Sequence, residues 1–343
     1  MATLQDIAKR AQVDASIVSR ILHKRDYGRA SAATRAKIEA AAKELGYEPN
    51  ASARSLVKQK TNMVGLLIPD LYEPAFIRYL EIIDALFEAK GMQVLPLLSR
   101  WSSEREEKLL RVVRQKRVDG LLSLFYNPEN YSSYQELYRM GVPIIFRNVN
   151  DSPAPEFDNV MVDIVEGGYI LTKHLLENGY SRVALLGGFA ARELSENTPP
   201  SGLAKGYVRA HEEAGRTVDS NLAIVCHDDG SDAGDRLIEH LKRYPGCFDG
   251  VLVQSNSKLP GLYRAFATNG IRIGKDVGVA TITDSEFCHL GETPITAWEQ
   301  PIEKICTALV EAFFERMNNK KSPSRSVFFP SQLIVRKSSS KIR

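Results

Sequence analysis

The chain has 343 residues, 43% of them apolar and 25% charged, ordinary globular proportions at a length that admits about two domains. A disordered or collagen-like chain is excluded, and no apolar run approaches the roughly 18 residues of a membrane span. The first residues lack the basic-then-apolar pattern of a secretory signal, so a cytoplasmic protein without membrane contact is expected. Cys226, Cys247, Cys288 and Cys306 form no CxxC pair and read as reduced structural thiols. The net charge of +3 divides unevenly: residues 1–60 hold 12 Lys/Arg against 6 Asp/Glu, a net of +6, leaving 33 basic and 36 acidic residues for the rest. A basic head on a mildly acidic body suggests a polyanionic partner for the head.

Thr3 and Asp6 have the spacing of a capping box, so a helix is expected from Leu4, with Leu4, Ile7, Ala8 and Ala11 on one stripe. Asp14 can cap a second helix carrying Ile17, Val18, Ile21 and Leu22. Ser31 or Thr34 can cap a third, in which Ile38, Ala41, Ala42 and Leu45 are apolar and Gly46 stands where a C-terminal glycine is preferred. The first two helices have helix-turn-helix proportions, in which the second helix enters the major groove. Its outward-facing residues are Ala15, Ser16, Ser19 and Arg20. Pro49 then stops helical structure, and Asn50 can cap a short helix through Val57, too brief to be stable alone in water. It should fold only when something holds it.

From Met63 onward, apolar runs of strand length alternate with amphipathic helical stretches. Strands are expected near 63–69, 94–98, 120–124, 143–146, 160–162, 183–186, 223–226, 251–253 and 277–282, with helices such as 76–89, 104–115, 166–177, 231–243 and 259–268 between them. This alternation implies an α/β body of parallel sheets with helices on both faces, and its length implies two doubly wound subdomains. A ligand would lie between the lobes at the carboxyl ends of the strands, in loops 70–76, 125–128, 147–150, 187–195, 254–257 and 283–287. Catalytic motifs fail. Residues 270–275 read GxxxGK, one residue short of a phosphate-cradling loop and without its Ser/Thr, and neither GxGxxG nor GxSxG occurs. His211-Glu212-Glu213 lacks a second histidine, and His227-Asp228-Asp229 reads as a solvated turn. No enzyme activity, cofactor or metal site is expected.

The ordered stretches Leu4-Gln5-Asp6-Ile7-Ala8, Val18-Ser19-Arg20-Ile21-Leu22, Thr34-Arg35, Leu45-Gly46-Tyr47, Pro49-Asn50 and Ala53-Arg54-Ser55-Leu56 resemble the LacI/GalR family of bacterial transcription regulators. The body agrees through Gly65-Leu66-Leu67-Ile68-Pro69-Asp70, Val118-Asp119-Gly120, Gly167-Gly168, Pro294-Ile295-Thr296 and Gln300-Pro301. The resemblance implies a helix-turn-helix head at 1–47, a hinge helix and linker at 48–60, and a periplasmic-binding-protein-like effector and dimerisation body at 61–339. Within the body it implies an N-subdomain of about 61–160 and 293–325 and a C-subdomain of about 161–292 and 326–339. It further implies a homodimer reading a pseudo-palindromic double-stranded operator, most simply as a repressor in carbohydrate metabolism controlled by a sugar or sugar phosphate. The alternative is a stand-alone small-molecule binding protein without a DNA role. The absent signal and the basic head disfavour it. Residues 336–343 carry no heptads, so a dimer is expected rather than a coiled-coil tetramer.

By the same resemblance the DNA-contacting set is Thr3, Ala15, Ser16, Ser19, Arg20, Asn50, Ala53, Arg54 and Leu56. Leu56 would wedge the central base step, and Arg20 could bond guanine bidentately, worth ~1–3 kcal/mol of discrimination. In the head, Gln12 replaces the usual turn glycine and Asp14 the usual serine cap. The effector candidates are Tyr72, Phe76, Ser123, Arg147, Asn256, Thr283 and Asp284. Where relatives often carry an aspartate, an arginine and an aspartate, this chain has Arg147, Leu203 and Thr283, a less acidic cleft suited to a phosphorylated or carboxylated ligand. Several roles stay open. Tyr72 and Phe76 either stack on a ligand or pack beneath a helix, Arg147 either binds an anion or pairs with an acid such as Asp151, and Asn256 either contacts ligand or caps a helix.

Overall fold

The computed structural model describes residues 2–22, 30–47, 60–148 and 156–341. It divides into two compact units, Met1–Thr61 and Asn62–Arg343. In the first, α1 (Leu4–Ala11) starts on the Thr3 capping box: the Thr3 backbone donates to Asp6 Oδ2 at 2.9 Å and Asp6 N–H to Thr3 Oγ1 at 3.3 Å. Gln12 ends it in the left-handed region (φ 53°), a conformation that glycine adopts more readily than glutamine. Asp14 accepts from Ser16 N–H at 2.8 Å to start α2 (Ala15–Leu22). Of the two candidate caps for α3 (Ala32–Glu44), Ser31 serves, accepting from Thr34 N–H, and Gly46 follows with φ 58°. Ile7, Ala8, Ala11, Val18, Ile21, Ile38, Ala41 and Ala42 bury against one another as a single small core.

The second unit holds two six-stranded sheets. The first lobe is built from β1 (Met63–Ile68), α4 (Pro74–Glu88), β2 (Gln93–Leu98), α5 (Ser103–Arg114), β3 (Leu121–Ser123), α6 (Tyr131–Arg139), β4 (Ile144–Asn148) and β5 (Asp158–Val162). The second holds α7 (Ile164–Glu177), β6 (Val183–Gly187), α8 (Phe189–Ser195), α9 (Gly202–Glu213), β7 (Ala223–Val225), α10 (Ala233–Arg243), β8 (Gly250–Val253), α11 (Leu259–Thr268), β9 (Gly278–Ile282) and β10 (Thr296–Glu299). The chain then returns for α12 (Ile302–Asn318) and β11 (Ser326–Phe329) and crosses once more to β12 (Gln332–Ile334).

Strand order is β2-β1-β3-β4-β5-β11 in one sheet and β7-β6-β8-β9-β10-β12 in the other, parallel except for β12 against β10. Alternate residues feed opposite faces: Val64, Leu66 and Ile68 pack under α4 and α12, while Leu67 joins Leu110, Tyr134 and Leu137 of α5 and α6. The second sheet repeats this, with Ala184 and Leu186 on one side and Val183 and Leu185 on the other. Helices α7 and α9 cross so closely that neither Gly168 nor Gly206 has room for a Cβ. In each sheet the order reverses beside the first strand, at β1/β3 and β6/β8, and loops diverge there to open a crevice.

Two boundaries differ from expectation. β10, placed with the first subdomain from sequence, pairs with β9 and β12 of the second sheet, and β11, placed with the second, pairs with β5 of the first. Strand pairing is a long-range property. The mostly exposed β11 carries no burial pattern that could announce its partner. Likewise 187–195, expected as a loop, contains α8.

Candidate functional site

The head presents one surface for recognition. Val18 and Ile21 point α2 into its core, which turns Ser16 and Arg20 outward as exposed residues and leaves Ala15 and Ser19 half-buried beside them. Thr3 is exposed at the α1 N-terminus, where its side chain is engaged with Asp6 at 2.7 Å. Asn50, Ala53, Arg54 and Leu56, with the expected hinge helix, lie outside the described residues.

In the body, a cavity of about 120 Å³ opens between the lobes, room for about four waters. It is lined from the carboxyl ends of strands in both sheets. The loop after β1 supplies Asp70 and Glu73. Asp70 accepts from the Tyr72 and Glu73 amides at 2.8 and 3.2 Å and from Trp101 Nε1 at 2.5 Å. That last bond holds Trp101 after β2 on a left-handed backbone (φ 59°), directly behind Arg100 at φ 54°, two sterically costly conformations for non-glycine residues. Trp101 meets Phe125 edge to face at 4.8 Å and lies 6.4 Å from Phe76 and 6.5 Å from Phe189 of the opposite lobe. Together these rings form an apolar wall.

The polar wall divides into paired and unpaired groups. Arg147, at the end of β4, is buried; its Nη2 donates to Gln300 Oε1, its guanidinium lies 5.4 Å from the Tyr79 ring centre, and its Nε–H makes no hydrogen bond. Gln300, on the crossover after β10, in turn donates to Thr283 Oγ1 at 3.0 Å. Thr283 sits at φ 71°, an outlier for a β-branched residue. The Tyr79 hydroxyl and Glu73 Oε1 are also buried without hydrogen bonds, while Glu73 Oε2 accepts from Ser257 N–H of the second lobe at 3.2 Å. Burial pushes the Glu73 carboxyl up to about 7 against the opposing pull of the Ser257 amide and Lys258. It also raises the Tyr79 phenol, opposed by the neighbouring Arg147 charge. Lys258 is spent within its own lobe, donating to Asp228 O, Ser255 Oγ and Ser257 Oγ at 2.6, 2.8 and 3.3 Å.

Of the seven effector candidates, Phe76, Arg147 and Thr283 line this cavity. The other four do not. Tyr72 is 63% exposed on an outer rim. Ser123 is fully buried and donates to Phe125 O at 2.7 Å. Asn256 is fully buried as a strut, donating to Thr283 O at 3.0 Å and Ser285 Oγ at 2.7 Å and accepting from Thr281 Oγ1 at 2.8 Å. Asp284 faces away and binds Arg336 bidentately at 2.9 and 2.5 Å. The less acidic cleft is also corrected, because Asp70, Glu73 and Asp228 line it; Asp228 belongs to the turn read as solvated. Phe76 packs on the first lobe's core, one of the two roles left open for it, and also lines the cavity. Asp151, the alternative partner for Arg147, lies outside the described residues. Sequence reasoning passed over Glu73, Tyr79, Trp101, Phe125, Phe189 and Gln300. Glu73, Phe125 and Phe189 stand in loops it had selected, and Trp101 was detectable only as the residue following a strand end.

A helix-turn-helix head joined to a two-lobed cleft with unsatisfied buried polar atoms defines a ligand-binding DNA regulator. Residues 3–50 match the family described as bacterial regulatory proteins, lacI family, and residues 172–339 match the periplasmic binding protein-like domain. The head is a lacI-family DNA-binding domain, and the chain is similar along its length to regulators that carry one. The chain is 27% identical over 344 residues to the HTH-type transcriptional regulator DegA of Bacillus subtilis (strain 168), covering 98% of both chains. It is 29% identical over 340 residues to the HTH-type transcriptional repressor PurR of Escherichia coli O139:H28, covering 98% of this chain and 97% of that one. Among solved structures it is similar to the transcriptional regulator CelR in complex with cellobiose (25% identity, TM-score 0.68, 98% and 100% of the chains). It also shares its fold with the lac repressor dimer bound to operator and the anti-inducer ONPF (22% identity, TM-score 0.77, 98% and 99% of the chains).

Proposed function

We propose that this protein is a cytoplasmic repressor that binds a pseudo-palindromic operator as a homodimer and is switched by a small sugar-type ligand held between the lobes of its body. The observation that carries the reading is the cleft itself: Glu73, Tyr79 and Arg147 each bring a buried, unpartnered polar atom to one cavity beside an aromatic wall. Such groups are costly unless something hydrogen-bonds them. Glu73 meets Ser257 and Arg147 meets Gln300 across the cleft, so a ligand that satisfies them favours the closed lobes. Closure acts on operator affinity through the hinge segment, and by linkage the operator acts equally on ligand affinity. In the head, Arg20, Ser16 and Ser19 read base edges, Thr3 meets the backbone, and Leu56 of each protomer wedges the central step.

Gel shifts on pseudo-palindromic DNA test the reading. A complex whose affinity falls steeply with salt, in proportion to the phosphates contacted, is expected, and no complex at moderate salt overturns it. Leu56→Ala should weaken specific binding while leaving nonspecific affinity almost unchanged. Equal losses in both would remove the wedge from the mechanism.

A further inference from the structure

Resting on the ligand-controlled reading above, the chemistry of the cleft narrows what the ligand is. Arg147 is 92% buried by its 8% exposure, yet no carboxylate among the described residues lies within ion-pair distance of it. Its Nε–H is buried without an acceptor, and the Tyr79 hydroxyl in the same cavity wall makes no hydrogen bond either. A buried guanidinium lacking an anion is a high-energy arrangement that one well-placed anion relieves. Glu73 Oε1 also has no partner, and a carboxyl pushed up to about 7 can accept or, when protonated, donate there, which a ligand hydroxyl can match either way. The aromatic wall of Trp101, Phe125 and Phe76 asks for a flat or C–H-lined face.

We infer that the effector is a hydroxylated monocarboxylate of sugar-acid type, its carboxylate accepting from Arg147 and Tyr79 and one of its hydroxyls hydrogen-bonded to Glu73. A phosphate fits less well. It carries about −1.5 to −2 charges, whereas the second cation of the wall, Lys258, is already spent on three acceptors of its own lobe, and Asp70, Glu73 and Asp228 line the same cavity. A neutral sugar leaves Arg147 without its anion. A zwitterion would set an ammonium against Glu73, whose carboxyl is held near neutrality by burial, a better match for a hydroxyl.

Calorimetric titration of the full chain with D-gluconate and D-glucuronate, beside D-glucose, D-glucose 6-phosphate and L-serine, tests this. At least one of the two acids should bind about tenfold or more tighter than each of the other three, the range one charge-assisted bond spans. Arg147→Lys, which keeps charge but loses the fork, should weaken the acid by tenfold or more and leave glucose unchanged. Should that variant not fold, Tyr79→Phe removes a single hydroxyl and should weaken the acid by about threefold to tenfold. Equal or tighter binding of glucose, the phosphate or serine overturns the inference. So does binding of neither acid at 10 mM, or unchanged acid affinity in Tyr79→Phe. These failures differ from failure of the regulatory reading. A neutral sugar that releases the protein from its operator would sink the sugar acid alone, while absence of any operator complex would sink the regulator whatever the cleft binds.

Discussion

The two lobes share a strand order but treat polar groups in opposite ways. In the second lobe Asn256, Lys258 and Asp284 are engaged within the lobe: Asn256 ties together the strand-end segments carrying Thr281, Thr283 and Ser285, Lys258 stitches three loop oxygens, and Asp284 clamps Arg336. In the first lobe Glu73, Tyr79 and Arg147 reach the same cleft with atoms left over. One wall is a finished floor and the other is a set of open valences. Fold stability and ligand chemistry are thus assigned to different lobes, although the sheets that carry them follow the same plan.

Removing groups from the two walls should therefore shift stability in opposite directions. Asn256→Ala removes the shortest acceptor of the Thr281 hydroxyl and the amide donor of the buried Thr283 carbonyl, and should destabilise the body by about 2 kcal/mol. Thermal or urea unfolding reads this, and a loss below 1 kcal/mol would erase the contrast. Glu73→Gln should do the reverse, by up to roughly 3 kcal/mol at pH 8. Because the folded-state pKa of about 7 lies above the ordinary 4.5, the closed form binds that proton more tightly than the unfolded chain does. The associated stability is fully present below pH 4.5 and is lost as pH rises to about 7. The variant should abolish that slope, and parallel pH profiles for both proteins would remove Glu73 as its source.

Further substitutions sharpen the same comparison. Asp284→Asn exchanges a bidentate ion pair with side chains 15–20% exposed for a neutral contact and should lower stability by about 2 kcal/mol, read by the urea midpoint. Tyr79→Phe deletes a buried hydroxyl that has no partner, so without ligand it should be neutral or stabilising by about 0.5 kcal/mol. A loss of 1 kcal/mol or more in the melting analysis would mean that the hydroxyl is already satisfied within the fold.

Local chemistry was legible in advance. The Thr3–Asp6 box, the Asp14 and Ser31 caps, the Gly46 stop and the alternation of strands and helices all depend on residues within a few positions of one another, and each is found where the spacing put it. The loops that form the cleft were also legible, because carboxyl strand ends of doubly wound sheets converge there. The individual contacts were not. Asn256 and Asp284 have the chemistry of ligand groups, and only partners far along the chain, at Thr281 and Arg336, show that they are occupied.

The sequence by itself determined a basic three-helix head and a body of parallel sheets, because charge, capping and periodicity act over short stretches of chain. Only the tertiary structure decided which polar atoms are spent and which are left for a ligand. Arg147 and Gln300 are separated by 153 positions and Glu73 and Ser257 by 184, and burial, which turns an unpaired atom into a demand for a partner, exists only once both lobes have closed around it.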